Sequence, residues 1–311
     1  MTRRRGVRGA PGSVRPLGQV RALGEAIERW GSAEGTSRRP DLPWRGTRDP
    51  WAVLVSETLA QQTQLVRVVP AYHRFLGEFP TPDACAAAPL GDVLRAWEGM
   101  GYNRRARNLR GAAQAVVTRH SGRVPDDLDA LLALPGVGPY TARAVLAFAY
   151  ERDVGVVDTN AGRVIARSVA GRPVRPSEAQ LLVDAMVPPG RGWSFGQSLL
   201  DLGATVCTSR SPDCPACPVR RRCRSASAGR PAPDPARGSA SVSVAQPRFA
   251  GSDRQGRGRL VDALRAGPVP PGHLAAAAGW PDDPVRAGRV ADALVDEGLA
   301  LREGDGTLRL P

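Results

Sequence analysis

Apolar residues recur at helical spacing in eight successive segments: 51–77, 84–98, 105–119, 127–134, 140–149, 160–169, 177–186 and 194–206. None of these segments alternates apolar and polar residues as a half-buried strand does. A chain patterned in this way is expected to be all-α, because each 3.6-residue stripe must be buried against another helix. Residues 25–224 read as one such unit. The stretch 225–250 (SASAGRPAPDPARGSASVSVAQPRFA) is rich in Pro, Ser, Ala and Gly, which is the composition of a linker.

Helical patterns return at 254–266, 272–279 and 284–297. Then GLALREGDGTLRL sets Gly-Asp-Gly between two short alternating runs, the mark of a β-hairpin. Residues 251–311 are therefore expected to form a small winged-helix-like module. Residues 1–24 carry arginines and no acid, and are expected to be a disordered basic arm. Such an arm is either merely solvated or lies near nucleic-acid phosphates.

The net charge is +13, and every one of the 43 basic residues is arginine, since the sequence has no lysine. Side-chain lysine Schiff-base chemistry is thereby excluded. No apolar run is long enough to span a bilayer, and the basic N-terminus has no apolar segment behind it, so a cytoplasmic, nucleoid-associated protein is expected. Four of the five cysteines, Cys207, Cys214, Cys217 and Cys223, form C-x6-C-x2-C-x5-C. A structural zinc site is the plainer reading, but zinc ribbons have two C-x-x-C knuckles and this loop has one. Ligation of a [4Fe–4S] cluster fits better. Cys85 reads as core. His73, His120 and His273 are scattered and show no metal spacing. The loop also bears Arg220, Arg221, Arg222 and Arg224, so a cluster there could brace a phosphate clamp.

Leu134-Pro135-Gly136-Val137-Gly138-Pro139-Tyr140-Thr141 separates two helical runs. Pro135 stops the first, Gly136 and Gly138 allow a tight turn, and Pro139 suits the first position of the second. Taken alone this is a helix–helix turn. In a basic chain it reads as a helix-hairpin-helix whose amides hold a DNA phosphate without reading sequence. Two carboxylates stand out. Glu57 lies on a half-apolar helical segment (WAVLVSETLAQQTQ), where a carboxyl can remain a proton donor near neutral pH; a solvated helix face is the alternative. Asp158 (VGVVDTNAGRVIARSV) follows a short apolar run and precedes a helix, which also suits a plain N-cap. Cutting a glycosidic bond needs such a pair, one acid for the leaving group and one carboxylate for the oxocarbenium ion.

Together SETLAQQTQ, GMGYNRRARNL, LPGVGPYTA, VVDTNAGRV and the cysteine loop, in that order, resemble the endonuclease III-like helix-hairpin-helix DNA glycosylases, and within them the MutY family of A/G-specific adenine glycosylases. The resemblance covers roughly residues 40–224. It implies two helical lobes, one holding a [4Fe–4S] loop, with duplex DNA bent across the cleft and adenine opposite 8-oxoguanine or guanine flipped out by a monomer. Glu57 matches the family's acid for adenine N7, and Asp158 matches the carboxylate that stabilises the oxocarbenium ion, electrostatically or through a transient covalent link. Asn160 matches a residue supporting that centre. Arg45 and Gln197 match adenine-pocket residues, and Gln61 and Tyr102 match residues inserted beside the mismatch. Tyr140 stands where strand-cutting relatives carry a catalytic lysine, so a monofunctional enzyme is expected.

Two departures matter. Asn103 replaces the second aromatic of the usual Gly-Tyr-Tyr stretch. The segment after Cys223 is too short and too helical for a Nudix-like domain, and resembles the short tail of actinobacterial members (DRQGRGRLVDALR). Two further functions compete: a glycosylase of the same fold acting on another base, such as a T:G mismatch or an oxidised pyrimidine, and a non-enzymatic iron–sulfur DNA-binding regulator. The latter leaves Glu57 and Asp158 without a reason.

Overall fold

The computed structural model describes residues 15–33, 42–239 and 248–311. Its helices are α1 (Leu17–Ser32), α2 (Pro50–Ala60), α3 (Leu65–Glu78), α4 (Pro82–Ala87), α5 (Leu90–Ala96), α6 (Arg104–His120), α7 (Leu128–Leu132), α8 (Pro139–Phe148), α9 (Thr159–Ile165), α10 (Pro176–Met186), α11 (Gly192–Asp201), α12 (Arg224–Ser227), α13 (Asp253–Ala266), α14 (Leu274–Ala278) and α15 (Pro284–Asp296), followed by strands β1 (Leu301–Arg302) and β2 (Leu308–Arg309). The all-α expectation holds. Two of the long helical segments are each two helices: 51–77 breaks at Gln61–Gln64, and 84–98 breaks at Pro89, which cannot continue a helix. Among the described residues no helix is long and apolar enough to cross a membrane.

The described residues fall into two compact units, one of 15–33 with 151–239 and the other of 42–150 with 248–311. The stretch 25–224 is thus shared between both, and each unit is closed by chain from two separate regions. In the first unit α1 packs on α10 and α11. Val20, Leu23 and Ile27 meet Phe195, Leu199 and Met186 in its core. Glu28, buried on the same helix, accepts from Ser32 Oγ (3.0 Å) and Ser194 Oγ (2.9 Å). α1 therefore begins inside the expected arm, and residues 1–14 lie outside the described residues. The expected linker also differs. Its first part belongs to this unit: Asp234 pairs with Arg167 (2.5 Å), and Ala236 and Ser239 are buried. Residues 240–247 lie outside the described residues.

The second unit is built on α2. Asp49 caps it by accepting from Trp51 N (3.0 Å), and Pro50 opens it. Every residue from Trp51 to Leu59 is buried, so this helix is central rather than half-apolar. Trp51 Nε1 donates to Phe79 O (3.0 Å), and Phe75 meets Phe79 and Trp97 edge-on. Cys85 is fully buried on α4, as expected, and burial pushes its thiol up to about 12. Residues 251–311 hold α13–α15 and an antiparallel hairpin, Leu301 opposite Arg309 and Arg302 opposite Leu308, and Val269 bridges to Leu308. This stretch packs on α5 and α6: Arg265 Nε donates to Leu94 O (2.8 Å), Gly91 N donates to Pro311 O (2.8 Å), and Arg107 bonds Glu297 O.

Candidate active site

In the second unit, Glu57 is buried near the C-terminal end of α2. The hydroxyls flanking it are satisfied within the helix, Ser56 Oγ on Val53 O and Thr58 Oγ1 on Leu54 O, both at 2.8 Å. Arg45 sits in the short 3-10 turn Pro43–Gly46 just before α2. Gln61 ends α2, and its Nε2 donates to Thr141 Oγ1 on α8 (3.3 Å). Tyr102 is 43% exposed and has a left-handed backbone (φ 46°), a strained conformation for a non-glycine residue.

Arg105 organises both expected insertion residues. Its Nη1 donates to Thr58 O (2.8 Å), Leu59 O (3.0 Å) and Gln61 O (2.6 Å), capping the last carbonyls of α2. Its Nη2 donates to Met100 O (3.0 Å) and Gly101 O (3.3 Å), and its guanidinium lies over the Trp97 and Tyr102 rings. Burial lowers this guanidinium to about 10, so it stays charged at neutral pH. Sequence reasoning missed Arg105; in a chain with 43 arginines and no lysine, residue type gave no signal, and spacing from Tyr102 was the available clue.

The hairpin joins α7 to α8. Asp127 caps α7 by accepting from Ala130 N (2.9 Å), and Gly138 and Pro139 open α8. Gly136 has φ 76°, and a Cβ there would sit 2.7 Å from Asn108 Cβ, so only glycine lets the turn approach α6. Val137 is buried, and its N–H closes the turn on Leu134 O (3.1 Å). Tyr140 lies in the first turn of α8.

In the first unit Asp158 caps α9. Its Oδ1 accepts from Ala161 N and its Oδ2 from Asn160 Nδ2, both at 2.7 Å. Burial raises its carboxyl above the ordinary aspartate range, against those hydrogen bonds and the Arg163 charge, which all favour ionisation. The N-cap reading and the functional reading thus describe one side chain. Asn160 Oδ1 accepts from Arg163 Nη2 (2.9 Å). The same buried guanidinium donates to Gly203 O (2.6 Å) and Cys207 O (2.7 Å). A continuous path therefore runs from the first cysteine's carbonyl through Arg163 and Asn160 to Asp158. Residues 202–206 form a π-helical turn, and a Cβ on Gly203 would lie 2.6 Å from Asn160 Cβ, so the wide turn and the missing side chain let the two segments meet. Gln197 lies on α11, which packs on α9.

Cys207, Cys214, Cys217 and Cys223 line one cavity of about 680 Å³. Arg167 Nη1 donates to Cys207 Sγ and Ala226 N to Cys223 Sγ, each at 3.5 Å. Arg167 also binds Thr208 O (2.7 Å), Ser209 O (3.0 Å) and Asp234, which ties the loop to the former linker. Burial pushes the Cys217 thiol up to about 11, and the neighbouring cysteines add to the rise. Among the described residues no three His, Cys, Asp or Glu side chains gather closely enough to hold a metal ion. Arg220, Arg221 and Arg222 are exposed on the loop.

Residues 55–188 match the model of the HhH-GPD superfamily base excision DNA repair proteins. The chain is 43% identical over 276 residues to the adenine DNA glycosylase of Mycolicibacterium smegmatis, covering 88% of this chain and 92% of that one. A thermostable thymine-DNA glycosylase superposes with a TM-score of 0.61 at 29% identity, covering 68% of this chain and 98% of that one. An endonuclease III trapped in a covalent intermediate with DNA superposes at 0.55 with 26% identity, covering 70% and 99%.

Proposed function

The chain belongs to the adenine DNA glycosylases of the HhH-GPD superfamily, and from that premise we propose that it releases adenine mispaired with 8-oxoguanine or guanine, as a monofunctional enzyme and a monomer. It is an adenine-specific DNA glycosylase of base excision repair, and DNA is its substrate. The observation that carries the mechanism is Asp158, a carboxylate fixed at both oxygens by donors on its own helix.

The reaction needs the adenine nucleotide out of the stack. Gln61 and Tyr102 insert into the duplex, and Arg45 and Gln197 bind the extruded base. Glu57 protonates N7, so the C1′–N9 bond breaks with adenine leaving as a neutral base. Asp158 stabilises the positive charge that develops at C1′. Water then adds to C1′, its proton returns through Glu57, and an abasic site remains with both strands intact. The amides of Gly136 and Gly138 hold a backbone phosphate, since the Val137 amide is used within the turn.

The cysteine loop fits a [4Fe–4S] group held by Cys207, Cys214, Cys217 and Cys223. The support is four thiols lining one cavity, none of which is paired in a disulfide. When bound, the group supplies four iron–thiolate bonds that hold the loop in shape. Arg220, Arg221 and Arg222 then face backbone phosphates.

The test is a panel of duplexes carrying A:8-oxoguanine, A:G, T:G or an oxidised pyrimidine. Free base is expected from the first two, with the strand cut only after alkali. Release of thymine instead, or spontaneous strand scission with a borohydride-trapped adduct, would overturn the reading. The pH profile gives a second check. If turnover needs ionised Asp158, its acidic limb lies above the ordinary aspartate range, because the native carboxyl is raised. Asn160→Ala removes a hydrogen bond that favours ionisation, so that limb is expected to move to higher pH; an unmoved limb would detach Asn160 from the carboxylate.

A further inference from the structure

Tyr102 and its neighbour Asn103 are held by the C-terminal module as well as by Arg105. Arg265, on α13, is almost fully buried, with its side chain 8% exposed. It reaches 162 positions back along the chain to place Nη2 on Asn103 Oδ1 at 2.9 Å, while its Nε binds Leu94 O at 2.8 Å. Arg254, in the first turn of the same helix, donates to the Tyr102 hydroxyl at 3.2 Å and lies over the exposed Phe249 ring at 5.1 Å. Tyr102 is held at φ 46°, just after two glycines that also have positive φ, Gly99 (78°) and Gly101 (65°). A loop in that state persists only where its surroundings over-determine it. Arg105 supplies one side of that restraint and the module the other.

We propose that the C-terminal module is a positioning clamp for the Tyr102 loop, with Arg265 and Arg254 as the positioning residues and Asn103 as the anchor that receives one of them. The proposal rests on the reading that Tyr102 inserts into the duplex. An amide at 103 accepts a charged hydrogen bond from the module that an aromatic ring would not accept. The module therefore acts on base extrusion through the wedge, with no need to touch the base opposite the adenine. A ring that enters DNA already held in its inserting conformation loses less freedom on binding, and that saving is what the module contributes.

The experiment uses the full chain and an A:8-oxoguanine duplex whose target is 2′-fluoro-2′-deoxyadenosine, which resists cleavage, with 2-aminopurine beside it. Fluorescence then reports unstacking without turnover, and single-turnover release is read on the normal duplex. Arg254→Met and Asn103→Leu are each expected to lower the fluorescence rise and the release rate about tenfold, the size of a lost charged hydrogen bond. Asn103→Asp keeps the acceptor for Arg265 and is expected to return both within about twofold. Arg254→Met replaces an exposed contact, so its melting midpoint is expected to stay within about 2 °C. Wild-type fluorescence and rate in Arg254→Met and Asn103→Leu, with both lowered in Tyr102→Ala, would overturn the clamp and leave the wedge standing. Wild-type behaviour of Tyr102→Ala would overturn the wedge, and the clamp with it.

Discussion

Glu57→Gln is expected to lower single-turnover adenine release by about 10³-fold, within the range removed with a positioned general acid. Affinity for the A:8-oxoguanine duplex is expected to change less than about threefold, because glutamine keeps the shape of the side chain. The argument starts from burial. Glu57 is enclosed in a helix whose residues from Trp51 to Leu59 are all buried, so the substitution removes a proton donor without opening a cavity. A neutral amide is also cheaper to bury than a carboxylate, so the melting midpoint is not expected to fall. Gel-shift binding and a quenched-time assay on the same duplex check the two halves separately. Release within about tenfold of wild type would remove Glu57 from proton transfer to the leaving base.

Arg163→Gln is expected to lower kcat by about 10²-fold, the usual penalty for a reacting group displaced by about an ångström. It is also expected to cost about 3 kcal/mol of stability, since a buried charged hub is broken. The Arg163 side chain joins Asn160, Gly203 and Cys207, and Asn160 in turn holds Asp158. Glutamine is too short to make all of these bonds and leaves buried acceptors unpaired. Arg163→Lys keeps the charge but not the planar fork, so it is expected to recover part of the stability and little of the rate. The decisive measurement is kcat per folded molecule, with folded fraction from near-UV circular dichroism. A lower melting point with unchanged kcat would make Arg163 a structural residue only.

How much of this was legible in the sequence depended on distance along the chain. Asp158 followed by Asn160 is a local pattern, and the cap it predicts is present. The glycine hairpin and the C-terminal hairpin are local as well, and both formed at the residues expected. The polar residues beside Glu57 make its helix look half-apolar, but the Ser56 and Thr58 hydroxyls bond back to their own helix, which lets the segment be central. The former linker was misread for a similar reason. Proline and serine content gives flexibility only when nothing long-range holds the segment, and Asp234 is held by Arg167. Arg105 and Arg163 carry no signal because their partners are mostly backbone carbonyls, which have no residue identity, and Arg167 and Arg265 carry none because the side chains they hold, Asp234 and Asn103, lie 67 and 162 positions away.

The interleaving of the two units has a consequence during synthesis. Glu28 on α1 meets Ser194, whose hydroxyl donates to it, only 166 residues later. At a ribosomal rate of about 5–20 residues per second, the apolar stripe of Val20, Leu23 and Ile27 waits roughly ten to thirty seconds for α11 to emerge. During that interval the nascent N-terminal helix is a natural client for a holdase. Expression at lower translation speed, or in a host poor in chaperones, should therefore affect yield far more than it affects the activity of the molecules that do mature.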